Sequence, residues 1–344
     1  MNLAQVMIDV GERLPWPDAV TRTAIRGLVG RTQRRLARAP QVTDPQFAAA
    51  MAQFPIAMNA EAANAQHYEI PAEFFALALG PQRKYSCCLF DGGSETLAAA
   101  EERALAVTAR HAGLADGQRI LELGCGWGSL SLWMARHFPS ARITAVSNSH
   151  SQRAYIAAAA AREALGNLDV VTADMNSFAP DGCFDRVVSV EMFEHMSNWR
   201  PLLVRMRDAL APGGRMFIHV FSNARTAYRF AAGDKSDWIA QYYFTGGIMP
   251  SHGLMRQFGD CFAVEDCWRW SGTHYRRTAA GWLANFDAKA DAVAAVLRDV
   301  YGAEAALWQR RWRLFFLATM GLFGHAGGEE WGVSHYLLAP TARR

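Results

Sequence analysis

The chain lacks three features that would indicate its class at once: a strong charge of one sign, a long apolar run and a cysteine framework. Its 344 residues carry 35 Lys and Arg against 32 Asp and Glu, and the formal net charge of +3 is too small to indicate nucleic acid or an anionic membrane as a partner. No window approaches ~18 uninterrupted apolar residues, so no membrane-spanning helix is expected. The N-terminus, MNLAQVMIDVGERLPWPDAV, has no basic start before an apolar core, and no secretory signal is expected.

Cysteine is scarce and scattered. The six Cys, at positions 87, 88, 125, 183, 261 and 267, match neither a disulfide framework nor the spacing of a zinc site. A reducing, cytoplasmic location is therefore expected. The composition is that of a globular protein, 51% hydrophobic and 19% charged. Eleven Trp suggest a pocket or interface with much aromatic area, although packing in the core is the default role of such residues.

Hydrophobic periodicity divides the chain into two parts. Residues 1–115 carry apolar residues at three- and four-residue spacing, which predicts an N-terminal helical region. In residues 116–344, strands separated by helices predict parallel β-α-β units in a doubly wound α/β sheet, interrupted by insertions at about 222–260 and 276–325. The expected strands are RILELG, RITAVS, DVVTAD, FDRVVSV, RMFIHVF, FAVEDCWRW and a closing EEWGVSHYLLAP, and the late helices are expected at about 276–298 and 302–323.

The first of these strands ends in a glycine-rich turn, ELGCGWG, at residues 122–128. Alternate glycines permit a tight turn and the close approach of a ligand, and ligands of open α/β sheets bind at the carboxyl ends of the strands. The spacing differs from the G-x-G-x-x-G of dinucleotide-binding proteins, and the second strand ends in Ser147-Asn148 without the acidic residue that an NAD ribose needs. With Asp174 after the third strand, whose carboxylate suits an adenine amine, the turn resembles that of S-adenosylmethionine-dependent methyltransferases.

The segment SVEMFEHM, residues 189–196, follows the fourth strand at the same edge of the sheet. Adjacent Glu194 and His195 point in different directions and lack the H-x-x-x-H spacing of a helical metal site, so no metal is expected. A carboxylate attracts a cationic amine, and a histidine poised near neutrality can receive its proton. We interpret the pair as an acid/base centre, and the alternative, polar decoration of a helix start, stays open.

Further motifs run in one order through residues 66–338: QHYEIP, KYSCCLF, SNSHSQ, MFEHM, FTGGIMPS, HYRRT and GEEWGVSHYLL. Together with the glycine turn, they resemble the cyclopropane-fatty-acid-synthase-like family, and the nearest branch is that of the plant coclaurine N-methyltransferases and their bacterial relatives. The resemblance implies a Rossmann-like class I methyltransferase with a doubly wound, mostly parallel sheet. It also implies an N-terminal helical cap that contributes to both binding sites, and S-adenosylmethionine as the cofactor with S-adenosylhomocysteine as its product.

The resemblance implies particular site residues. Cofactor binding is expected at Tyr68, Tyr85, Ser86, Glu122, Gly124, Gly126, Gly128, Asn148, Gln152, Asp174 and Met175. Catalysis in the N-methyltransferase branch is expected to depend on Glu194, His195 and Glu191. Cyclopropane synthases of the same family methylate a lipid alkene with the help of a bound bicarbonate, and the ligands of that ion match Cys87, Glu194, His219 and Tyr275. Those synthases usually have Gly at the position of Glu191.

Several functions therefore stay open. N-methylation of a small cyclic or aromatic-bearing amine, such as a tetrahydroisoquinoline, is favoured. Bicarbonate-dependent C-methylation of an unsaturated fatty acyl chain or other alkene is the alternative, and a non-enzymatic cofactor-binding protein is a third hypothesis. The expected partner is a small-molecule amine or a lipid without nucleic acid, and a homodimer is left open. The acceptor pocket is expected to include Trp238, Tyr242, Tyr243, Phe244, Trp308, Trp312, Phe315, Phe316, Phe323 and Trp331, although each residue alone is more often part of a core.

Overall fold

A computed structural model describes residue 12 and residues 16–38, 42–58, 70–230 and 246–342. The strands are β1 Arg119–Leu123, β2 Arg142–Ser147, β3 Leu168–Thr172, β4 Phe184–Val190, β5 Leu210–Asn223, β6 Tyr228–Arg229, β7 Ile248–Met249, β8 Phe262–Ser271 and β9 Trp331–Pro340. The helices are α1 Asp18–Arg38, α2 Asp44–Met51, α3 Ala72–Ala78, α4 Leu97–His111, α5 Ser129–His137, α6 His150–Arg162, α7 Trp199–Asp208, α8 Gly272–Ala288, α9 Ala290–Tyr301 and α10 Ala305–Phe323.

The central sheet has seven strands in the order β3-β2-β1-β4-β5-β9-β8. The first five strands pair in parallel, and β9 lies antiparallel between β5 and β8. Parallel strands need crossover segments, and α5, α6 and α7 connect them and pack against the sheet. The carboxyl ends of β1 and β4 are therefore neighbours, and this brings the glycine turn beside the segment SVEMFEHM. The expected α/β fold is confirmed.

Helices from both ends of the chain pack on one another beside the sheet. Helix α10 contacts α8, α9 and α1, and the rings between them form a buried cluster that also includes α3. Across this cluster the ring centroids of Phe74 and Trp312 lie 4.8 Å apart. Five of the eleven Trp belong to it: Trp127, Trp270, Trp282, Trp312 and Trp331. Much of the tryptophan therefore forms core, and the division of the chain at residue 115 stays a prediction.

Two elements differ from the sequence-based expectation. The helix expected at 276–298 is two helices, α8 and α9, which meet at Lys289. Strand β5 starts at Leu210 and continues through Pro212, Gly213 and Gly214, so it begins before the run RMFIHVF from which it was predicted. In the part of the chain that the structure describes, no helix combines the length and the apolar character needed to cross a membrane.

Candidate active site

The glycine turn after β1 forms one wall of the site. Gly124, Gly126 and Gly128 have positive φ angles of 74°, 52° and 78°, a region that other residues rarely adopt. A Cβ on Gly124 would lie 2.7 Å from the side chain of Met192, and one on Gly128 would lie 2.7 Å from Ile156, so packing requires glycine at both positions. A Cβ on Gly126 would meet no atom within 4 Å. The backbone at Gly126 is therefore open to a ligand.

A cleft along this edge of the sheet brings together most of the residues expected to bind the cofactor. Its lining includes Tyr85, Ser86, Glu122, Gly124, Gly126, Asn148, Gln152, Asp174 and Met175. Gly128 caps the N-terminus of α5 instead of lining the cleft. Tyr68 lies outside the described residues.

Buried polar atoms in the cleft indicate that a polar ligand completes it. Ser129 Oγ and Gln152 Nε2 are buried without a hydrogen-bond partner among the described residues, and both side chains line the cleft. Such atoms are normally paired in folded proteins. Glu122, which accepts a hydrogen bond from Ser131, is also buried, and this burial raises the pKa of its carboxyl to about 7. An ionised Glu122 would favour a cationic group nearby.

At the end of β4, three donors hold the carboxylate of Glu191. Its Oε1 accepts hydrogen bonds from the backbone N–H of Cys87 at 2.9 Å and from His219 Nε2 at 3.2 Å. Its Oε2 accepts from the hydroxyl of Tyr275 at 2.6 Å. Burial raises the pKa of the Glu191 carboxyl, while the charge of Lys84 and the hydrogen bonds oppose that shift. The pKa of Glu191 stays above its usual value, and these donors and the cation offset part of the effect of burial.

Glu194 has the opposite surroundings. It lies in the 3₁₀ turn Phe193–His195, is 1% exposed, and its buried Oε2 has no hydrogen-bond partner within the described ranges. Burial, and then the negative charge of Glu191, raise the pKa of the Glu194 carboxyl well above its usual value. Of the two acids lining the cleft, Glu191 is therefore the more readily ionised and Glu194 the one that more readily keeps its proton.

His195 ends the same turn, is half-buried and lines the cleft. Its charge lowers the pKa of Glu191, so it acts on the same carboxyl pair. The three residues expected for catalysis thus face one cleft, and their roles stay predictions. In the described part of the chain, no group of three or more His, Cys, Asp or Glu is placed to hold a metal ion.

Lys84 is a site residue that the motifs did not single out. It lines the cleft, is 2% exposed, and its Nζ donates to the carbonyl oxygen of Cys87 at 2.8 Å and to Ser86 Oγ. Cys87 therefore accepts from the lysine through its carbonyl and donates to Glu191 through its N–H, which links the buried cation to the carboxylate. The available signal was composition, because only three lysines occur among the 35 basic residues and one of them lies in KYSCC.

The aromatic residues expected around the acceptor are distributed unevenly. Phe315 lines the cleft, and Phe323 stacks on Tyr275 with ring centroids 4.3 Å apart. Trp308 stacks on Tyr301 at the edge of the aromatic cluster. Of the residues expected around the acceptor, Trp312, Phe316 and Trp331 are buried within that cluster and do not line the cleft. Trp238, Tyr242, Tyr243 and Phe244 lie outside the described residues.

Comparison with known proteins decides the family. The family model for mycolic acid cyclopropane synthetase matches residues 57–325. The chain belongs to this family. Among its relatives, the (S)-coclaurine N-methyltransferase of Thalictrum flavum subsp. glaucum is 33% identical over 338 residues, which cover 97% of this chain and 90% of the relative. The cyclopropane-fatty-acyl-phospholipid synthase of Escherichia coli (strain K12) is 27% identical over 223 residues, 64% of this chain and 55% of the synthase.

A solved structure agrees over nearly the whole chain. The crystal structure of coclaurine N-methyltransferase bound to N-methylheliamine and SAH has a TM-score of 0.91 and 33% sequence identity, and the match covers 98% of this chain and 99% of that one. The family resemblance inferred from the motifs and the Rossmann-like class I methyltransferase fold are both confirmed. The chain is thus an enzyme, a methyltransferase that uses S-adenosylmethionine.

Proposed function

We propose that this enzyme N-methylates a small cyclic or aromatic-bearing amine of the tetrahydroisoquinoline type. The observation that carries the proposal is the buried carboxyl pair at the cleft, in which donors surround Glu191 and Glu194 Oε2 has no partner among the described residues. The relatives named coclaurine N-methyltransferase, one of them solved with N-methylheliamine, support an amine as the acceptor.

The cleft fits the cofactor by its chemistry. S-adenosylmethionine supplies a methyl group on a sulfonium, which is already activated for in-line attack. We assign the open backbone at Gly126 to its close approach, and the unpartnered Ser129 Oγ and Gln152 Nε2 to its polar groups. We also assign Glu122, which lines the cleft, to the methionine ammonium, and the exposed carboxylate of Asp174 to the adenine amine.

Glu194 prepares the acceptor for attack. An aliphatic amine has a pKa near ~10 in water and no free lone pair while it is protonated. Burial raises the pKa of the Glu194 carboxyl, and the same burial disfavours a charged ammonium. The acceptor can enter as an ammonium beside ionised Glu194, in which case its proton moves to the carboxylate. It can also enter as a free amine beside neutral Glu194. Both routes give a neutral amine beside a neutral carboxyl, with the nitrogen lone pair available.

The neighbours of Glu194 complete the proposed chemistry. His195, half-buried at the same cleft, passes the proton on towards solvent. Glu191 stays ionised and stabilises the positive charge that forms on the methylated nitrogen. Lys84 balances the charge of Glu191 through the peptide groups of Cys87.

Glu191 also bears on the alternative, C-methylation of an alkene with bound bicarbonate. The resemblance assigns bicarbonate to Cys87, Glu194, His219 and Tyr275. In this chain the three donors of that set, Cys87, His219 and Tyr275, all meet the Glu191 carboxylate. We infer that this carboxylate takes the place of the anion. Methyl transfer by this enzyme should then need no bicarbonate.

A cofactor-turnover screen tests the acceptor class. Tetrahydroisoquinoline and vesicles of unsaturated phospholipid are each assayed with and without bicarbonate, and the carbocyclic analogue tetralin serves as the control without nitrogen. We expect methylation of the amine alone, at a rate that is indifferent to bicarbonate and that rises with pH as the amine loses its proton. Turnover of the lipid that depends on bicarbonate, with no amine product, would overturn the proposal.

A further inference from the structure

Three histidines extend from Glu191 in a continuous hydrogen-bonded row, the histidine relay of His219, His335 and His111. His219 Nε2 lies 3.2 Å from Glu191 Oε1, and His219 Nδ1 lies 2.8 Å from His335 Nε2. His335 Nδ1 lies 2.9 Å from His111 Nδ1. The first two rings are 0% exposed, whereas His111 is half-buried in the last turn of α4. The relay thus joins the carboxylate at the cleft to a helix end that solvent reaches.

The register of the strands in the sheet brings the histidines of the relay together. His219 on β5 lies directly opposite His335 on β9, and Trp268 on β8 is the partner of His335 on its other side. The ring of Trp270 lies 4.3 Å from that of His335, and Trp268 stacks on His111 with centroids 3.8 Å apart. These rings shield the histidines, so the ring nitrogens bond to each other instead of to water, and hydrogen bonds are stronger in such surroundings.

The hydrogen-bond chemistry allows one arrangement of protons when Glu191 is ionised. Burial lowers the pKa of all three histidines, that of His111 to about 4, so each ring is neutral and offers one N–H and one lone pair. A carboxylate only accepts, so His219 carries its proton on Nε2 and accepts at Nδ1 from His335 Nε2–H. His335 Nδ1 accepts in turn from the Nδ1–H of His111.

We propose that His335 and His111 are positioning residues, which fix the tautomer of His219 that donates to Glu191 and so hold Glu191 as a carboxylate. The inference rests on the role of Glu191 in the proposed function. Histidines that only fill a core need hydrogen-bond partners, but their donors and acceptors can run either way along the row. Here the order is fixed, because the Glu191 carboxylate at one end can only accept. Accepting a hydrogen bond at one nitrogen strengthens donation from the other, so His335 and His111 act on the site without touching the acceptor.

Other charged groups face the relay. Burial is the main cause that lowers the pKa of His219 and of His335, and the charge of Lys84 adds to it. At the outer end, Arg110 also disfavours protonation of His111, whereas Asp266 favours it. Besides Lys84 and His219, the titratable neighbours of Glu191 include Cys87, Glu194, His195 and Tyr275. Lys84 therefore favours the same state as the relay, neutral rings beside an ionised Glu191.

Histidine-selective ¹⁵N spectra of the full chain test the relay without any turnover. We expect the Nε2–H tautomer for His219 and His335 and the Nδ1–H tautomer for His111 at neutral pH, with each signal assigned from a single variant. A proton on Nδ1 of His219, or on Nε2 of His111, would overturn the relay.

Variants then test whether the relay acts on catalysis. His335→Phe keeps a ring but removes both nitrogens, and we expect kcat for the amine to fall about 10- to 100-fold, by analogy with residues that orient a metal-bound histidine. A weaker donor at Glu191 raises the pKa of that carboxyl, so the acid limb of the pH–rate profile should move to higher pH. His335→Gln retains a donor and should recover part of the rate, and His111→Phe should give a smaller shift in the same direction.

His137→Phe is the matched control. His137 also ends a helix and stacks on a tryptophan, Trp133, at 3.9 Å, but its Nδ1 meets the carbonyl oxygen of Trp133 and not the relay. We expect its kcat and acid limb to be unchanged. Slower His335 and His111 variants whose acid limb stays in place would indicate packing damage and overturn the proposal. If the unaltered enzyme methylates no amine, the proposed function fails, and the ¹⁵N tautomers still support or overturn the relay.

Discussion

The two acids of the segment SVEMFEHM lie close together in the chain but differ in the hydrogen-bond donors that surround them. Glu191 has a left-handed backbone with φ of 47°, and its carboxylate meets the Cys87 N–H, His219 and Tyr275. Glu194, in the following turn, meets no donor at Oε2 among the described residues. Two neighbouring buried carboxyls do not ionise together readily, so the donors decide which one carries the charge. One short segment thereby holds two acids whose pKa values differ, with that of Glu194 raised further.

The buried carboxyl of Glu194 should lower the stability of the folded protein, and replacing Glu194 should recover that stability. A carboxyl whose pKa is raised on folding binds a proton that the unfolded chain releases above about pH 4.3, so its contribution to stability is lost as pH rises through the folded pKa. Glu194→Gln should therefore raise the melting temperature at pH 7–8, and the gain should shrink as the pH is lowered towards 5. The same variant should lose about 10²- to 10⁴-fold in turnover, the contribution of a positioned base.

Thermal melts across pH, beside calorimetric titration with S-adenosylmethionine, check this prediction. Cofactor affinity should stay near that of the unaltered enzyme, because the proposed partner of Glu194 is the acceptor. His195→Ala is the companion variant and should lose less turnover than Glu194→Gln if water also takes the proton. A collapse of cofactor affinity with intact turnover at saturating cofactor would show that the pair supports the cofactor instead.

Glu122 should make cofactor binding depend on pH. Burial raises the pKa of its carboxyl to about 7, and the methionine ammonium of the cofactor favours the ionised form. Affinity for S-adenosylmethionine should therefore fall as pH drops below about 7, by up to tenfold per pH unit, because binding must first displace the proton. Glu122→Gln should bind more weakly with little pH dependence, as calorimetry at pH 6, 7 and 8 would show. An affinity of the unaltered enzyme that is flat over this range would contradict the assignment.

At the scale of elements, the parallel strands β1, β2, β4 and β5 could be predicted because most of their residues are buried. Such strands read as near-continuous apolar runs, and each of the seven strands of the sheet was predicted from its run. The turn after β1 could be predicted as well, because packing against Met192 and Ile156 admits only glycine at Gly124 and Gly128.

The break between α8 and α9 could not be predicted, because the residue at the junction gives no signal. Lys289 is neither Gly nor Pro, and apolar residues at helical spacing continue on both sides. A tertiary contact marks the end of α8 instead, since Lys289 Nζ donates to the carbonyl oxygen of Leu77 at 3.1 Å. Helix periodicity reports the buried face of a segment and does not report where a neighbour turns the chain.

The histidine relay could not be predicted from the sequence either, because tertiary contacts bring its members together. Glu191, Glu194 and His195 lie in one motif, so the sequence presents them together. His335 is 116 residues from His219 and 224 residues from His111, and only the pairing of β5 with β9 and the end of α4 bring the three together. A histidine that gains its partners through sheet register carries no local signal.

At the scale of the molecule, an aromatic core backs the cofactor cleft. The ring of Tyr85, in the cleft lining, lies 5.5 Å from Trp282 and 5.3 Å from Phe75, and Phe315 joins the same cluster. Helices from both ends of the chain supply these rings. A ligand held against such a core is coupled to the folding of the whole chain.

Cofactor binding should therefore raise the melting temperature of the molecule. A ligand that binds only the folded state stabilises it by about 2.7 kcal/mol at a concentration of 100 Kd, and we expect S-adenosylmethionine and S-adenosylhomocysteine to shift the transition by a few degrees. NAD should give no shift, because β2 ends in Ser147-Asn148 and offers its ribose no carboxylate.

Gly126→Val is the discriminating variant, because its side chain enters the open space at the cleft, whereas a Cβ at Gly124 or Gly128 would clash with the core. Its own melting temperature should fall somewhat because of the positive φ, so the ligand shift is read against the ligand-free variant, where it should vanish. A shift with NAD and none with S-adenosylmethionine would sink the assignment of this cleft.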